Sequence, residues 1–175
     1  MRIPRWTTML PRALALASFL LLALATAGWA ATLRGQVVDA QTGQPIAGAV
    51  VLGVWTKVGG LPGLHHTDLV GVRETETDAS GHFALERLKG SGEDAESLTV
   101  YKFGYVAWNN LFVFPTWERR TDAQVPAQIP LERFAPGDSH QKHMSFISNA
   151  TRAGMFGHES DPKFQKALDR EMRMR

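Results

Sequence analysis

Four of the six histidines fall in two close pairs, and such pairs are the first candidates for chemistry. "HHTD" places His65, His66 and Asp68 within one stretch, and "HQKH" places His140 and His143 three apart, one helical turn. Either set could hold zinc or copper through imidazole nitrogens, given a further ligand. Neither spacing matches an established metal motif. The chain has no cysteine, which removes thiolate ligands, thiol catalysis and disulfides together. A third constellation, "TDASGHFAL", sets Asp78, Ser80 and His82 close in sequence. A serine nucleophile needs a strained elbow and a base brought to it, and no glycine-flanked elbow surrounds Ser80. Asp, Ser and Gly in succession instead describe a tight turn between two strands. No catalytic residue and no cofactor is expected.

Aromatic side chains offer a different kind of site. "YVAWNNLFVFPTW" carries Trp108 and Trp117 beside Phe112 and Phe114. Rings at a surface stack on sugars, so Trp108 and Trp117 are the candidate carbohydrate-binding residues. Strand alternation through "LFVF" sends Phe112 and Phe114 to the core.

These residues are carried by a chain with an export leader. Arg2, Arg5 and Arg12 precede the uncharged apolar run Ala13 to Ala27, and "GWAA" offers small residues for cleavage after Ala30. The run is short for a membrane span, which needs roughly 20 apolar residues. Residues 1–30 are therefore expected to leave, the mature protein to have no membrane span, and its location to be periplasmic or secreted. Of the 19 basic and 17 acidic side chains, three arginines belong to the leader and no acid does. The mature part is nearly neutral, and a nucleic-acid partner is not expected.

From Leu33 to about Phe134 the pattern is β: short alternating runs such as "LRGQVVDA", "HFAL", "SLTVYKF" and "AQIPL" are separated by Gly, Pro, Asn and Asp. That arrangement predicts a mainly β, antiparallel sandwich over 31–135. Thr56 to Asp68, rich in glycine, is expected as a long loop. Beyond Pro136 the period changes, and 136–175 is expected as a helical extension. One helix begins at Asp138 or Ser139 and ends near Gly154. A second, "SDPKFQKALDREMRMR", starts from Ser160 or Asp161 with Pro162 in its first turn. Phe164, Leu168 and Met172 form its apolar stripe, which must pack on the sandwich or on a partner; they are the candidate partner-contact residues.

Three blocks then occur in order: "GQVVDAQTGQPIAGAVV", "TETDASGHFAL" and "LTVYKFGY". Together they resemble the carboxypeptidase regulatory-like domain, a transthyretin-like (prealbumin-like) β-sandwich. The resemblance spans about Leu33 to Phe134 and omits the Thr56–Asp68 stretch and the helical tail. It implies an accessory or stabilising module that acts through contacts, with an envelope or secreted protein, or a polysaccharide, as partner. Enzymes on related sandwiches are poor matches: the chain ends "REMRMR" without a Tyr-Arg-Gly-Ser motif, and its only tyrosines are Tyr101 and Tyr105.

Overall fold

The computed structural model describes residues 32–61, 63–88, 95–151 and 161–174; the leader proposed over 1–30 lies outside the described residues. Seven strands come first: β1 (Thr32–Asp39), β2 (Val50–Leu61), β3 (Leu64–Glu76), β4 (His82–Glu86), β5 (Ala95–Tyr101), β6 (Trp108–Asn109) and β7 (Gln128–Leu131). Two helices follow, α1 (His140–Ala150) and α2 (Pro162–Met172). The strands form a three-stranded sheet, β4-β1-β7, and a four-stranded sheet, β3-β2-β5-β6. The molecule is a mainly β sandwich with a C-terminal helical extension, as the strand and helix periods require. All strand pairs are antiparallel except β1 with β7, which run parallel.

The period of two in the strands separates two cores. Val37, Val51, Trp55, Phe83, Leu85, Leu98, Val100, Ile129 and Leu131 meet between the sheets. Val50, Leu52 and Val54, on the opposite face of β2, meet Tyr101, Phe146, Ile147, Phe164 and Leu168. Strand β2 is thus covered on both sides, which is why "AVVLGVW" is apolar without alternation. The helices complete this second core by covering the outer face of the larger sheet.

Polar side chains knit the three sequence blocks together. Asp39, 2% exposed, ends β1 by accepting from the Gln41 and Thr42 amides. Its other oxygen accepts from the Tyr105 hydroxyl at 3.0 Å and Arg133 Nε at 2.8 Å. Thr77 Oγ1 accepts from the Ala49 amide and donates to the Ile46 carbonyl. Lys102 Nζ donates to the carbonyls of Ala47 and Gly48. Asp78 Oδ1 accepts from the amides of Ser80 and His82, so the acid of "TDASGH" is occupied in shaping its turn.

Two stretches differ from the sequence expectation. "LFVF" is not a strand: Asn109 Oδ1 accepts from the amides of Leu111 and Phe112, donors that a ladder would require. Thr56 to Asp68 is not a loop. Strands β2 and β3 stay in register past the sheet, from Lys57↔Asp68 to Leu61↔Leu64. Gly60 and Gly63, at φ 108° and 88°, allow the chain to reverse there.

Candidate functional site

Strand β5 accompanies β2 only from Val50 to Thr56. Beyond Thr56, β2 and β3 continue as a two-stranded ribbon with no further strand on either edge among the described residues. The ribbon's side chains are open to solvent: Val58 is 63% exposed, Leu61 71% and Leu64 75%. An isolated two-stranded ribbon is marginal in water, and exposed apolar residues on it call for a cover.

The three metal candidates lie on this ribbon. His66 Nε2 and Asp68 Oδ2 are 3.1 Å apart on one face, both well exposed. The His66 imidazole lies across Gly59, where a Cβ would come within 2.8 Å of Nε2, so the glycine makes room for it. His65, the adjacent strand residue, points to the opposite face. The structure therefore pairs His66 with Asp68 and does not bring His65 to them. Among the described residues no three His, Asp or Glu side chains gather as a metal site.

The aromatic candidates also part. Trp108 is 7% exposed, packed between the sheets, with the Arg120 guanidinium 5.2 Å above its ring. Its place in the inter-sheet core removes it as a stacking platform. Trp117 is 42% exposed and holds a left-handed backbone, φ 63°, unusual for a bulky residue. Its ring packs on Phe146 at 5.1 Å and Phe112 at 6.2 Å. Beside it runs an open groove of about 580 Å³ lined by Phe114, Pro115, Gln141, Lys142 and Ser145.

Among the partner-contact candidates, Phe164 and Leu168 are buried against the larger sheet, 1% and 5% exposed, and only Met172 reaches solvent, at 39%. The helix turns about 100° per residue, so a position seven after Phe164 faces the same way more closely than one eight after it. That position is Glu171, which is 2% exposed. An acid on an apolar stripe was the available sequence signal for a buried network.

Glu171 is the centre of that network. Its carboxylate accepts from the Tyr101 hydroxyl at 2.6 Å, and lies 2.6 Å from His143 Nδ1 and 3.0 Å from His140 Nδ1. His143 Nε2 accepts from the Ala107 amide at 2.8 Å, which assigns its ring proton to Nδ1, facing Glu171. Burial pushes the Glu171 carboxyl up, but hydrogen bonds from His143 and Tyr101 and the His140 contact hold it below the ordinary carboxylate range. Burial and the same carboxylate push the Tyr101 hydroxyl far up. A His–Glu pair resembles a general base, yet both nitrogens of His143 are engaged, one by the acid and one by backbone. The network holds α1, α2 and β5 together.

No family model, curated protein or solved structure matches this chain.

Proposed function

We propose that this chain is an exported, non-enzymatic accessory module of the carboxypeptidase regulatory-like, transthyretin-like kind, working through protein contacts in the periplasm or cell envelope. The β2–β3 ribbon is its contact element. The observation that carries this reading is the ribbon itself, with Val58, Leu61 and Leu64 each more than half exposed on two strands that, among the described residues, have no third strand beside them. Apolar surface left open on a projecting ribbon fits a partner that buries it. A non-enzymatic role is supported by the engagement of the reactive side chains: Asp78 in its turn, His143 between Glu171 and a backbone amide.

The test is capture from envelope extract with the tagged mature protein and with a Val58→Asp, Leu61→Asp variant. A partner held by the first and lost from the second, with the same circular dichroism, is the expected result. A partner retained by the variant, or none captured by either, overturns the ribbon as contact element.

A second reading is a polysaccharide-binding module using Trp117 alone of the two candidate tryptophans. The exposed ring, its left-handed backbone and the groove beside it favour this reading, since residues with strained backbone cluster at ligand sites. Polysaccharide would then shift tryptophan emission in the native protein and not in Trp117→Ala. Equal shifts in both would remove it.

A further inference from the structure

We propose that the outer edge of β3 along the ribbon pairs antiparallel with the same edge of a second copy of this chain, about a two-fold axis at Thr67. The proposal rests on the reading of the ribbon as the contact element and names the occupant of its β3 edge.

An antiparallel edge pair with two-fold symmetry places residue i of one copy opposite residue j of the other, and j opposite i. The segment must therefore be complementary to its own reverse. On one face, from Leu64 to Val70, it is; the other face sets His65 against Leu69 of the second copy on either side of Thr67. With Thr67 facing Thr67, His66 stands opposite Asp68 of the second copy and Leu64 opposite its Val70, each twice. The four outward residues so matched are exposed, among them Leu64 at 75% and Val70 at 42%. His66 and Asp68 already share one face, with side chains 3.1 Å apart, and directly opposed residues across a strand pair come as close. The pairing would bring two imidazoles and two carboxylates together on that face.

The fold also sets the length of this segment. At one end lies the chain reversal beyond Leu64. At the other, β3 is interrupted by a bulge: Gly71 pairs with Trp55 and Leu69 with Thr56, leaving Val70 without a partner in β2. A bulge twists the strand and ends regular pairing, as it does on many protected edges. The edge from the turn to the bulge residue Val70, unpartnered among the described residues, is thus the one with a self-complementary face. Unprotected edges of this kind take up a further strand.

The absence of native cysteine makes the test direct. Thr67→Cys, oxidised at micromolar concentration, is expected to form a covalent dimer, whereas Thr42→Cys, in the exposed turn after β1, is not. Light scattering of the unmodified mature protein should give about twice the chain mass, as a closed two-fold pair requires. Asp68→Lys should return it to the monomer, and the exchange His66→Asp with Asp68→His should restore the dimer, because the exchanged face is still complementary to its own reverse. A monomeric native protein, no cross-link through Thr67, or an exchange that stays monomeric overturns the proposal. None of these outcomes alters capture of an envelope protein through Val58 and Leu61, so the two readings fail separately.

Discussion

At the scale of single residues, Glu171 holds the most concentrated set of interactions. Three donors from two other elements converge on one carboxylate at 2% exposure. Glutamine in its place keeps the size but brings an amide N–H₂ toward groups that donate. Glu171→Gln is expected to cost about 2 kcal/mol, the range of a buried hydrogen bond to a charged group. Urea denaturation measures it, and an unchanged midpoint would show that the network contributes nothing. Tyr101, His140 and His143 are ordinary in sequence, and "HQKH" suggests a metal only because imidazole pairs at helical spacing often hold one. The partner that defines the role of the two histidines is some thirty residues further on in α2, and Tyr101 lies 70 residues before it. No spacing rule joins such positions.

At the scale of elements, helix α2 shows what local signals capture and what they omit. Asp161 and Pro162 mark its start correctly, with Pro162 in the first turn. The orphan amides there are met from elsewhere: Glu74 of β3 accepts from Lys163 N and Phe164 N, both at 3.0 Å. A carboxylate at this end also meets the positive end of the helix dipole. Glu74→Ala is expected to lower stability by about 1 kcal/mol, the typical loss of an N-terminal cap. Thermal melts of the two proteins would reveal it, and equal melting temperatures would reject the cap. By contrast α1 is capped locally, its Ser139 hydroxyl accepting from Lys142 N, and its start was legible in sequence for that reason.

At the scale of the whole molecule, two buried carboxylates make stability depend on acid. Burial raises Asp39, but the Thr42 and Gln41 amides, Tyr105 and Arg133 outweigh it and bring the carboxyl from its ordinary 3.8 to about 2. Glu171 is likewise held below its ordinary 4.5. A carboxyl depressed in the folded state binds protons more readily when unfolded, so its contribution is complete above the unfolded value and is lost as pH falls through the folded one. The melting temperature should therefore hold steady above 4.5 and fall as pH is lowered from there toward about 2. In Asp39→Asn the fall near the lower end of that window should be shallower. A native curve flat throughout the window would contradict both assignments.

Sequence alone determined the alternation that makes a sandwich, the turn chemistry at Asp78, and the existence and starts of two helices. These depend on neighbours within a few residues, where period and capping act directly. Tertiary structure decided the rest. It buried Trp108 under Arg120 and left Trp117 open, because exposure of a ring depends on what packs over it. It turned the Thr56–Asp68 loop into a ribbon, because a ladder is formed between strands and glycines there only permit the reversal. It also joined His143 to Glu171 across two helices. Each of these is a relation between residues that chain connectivity does not bring together, and only packing supplies it.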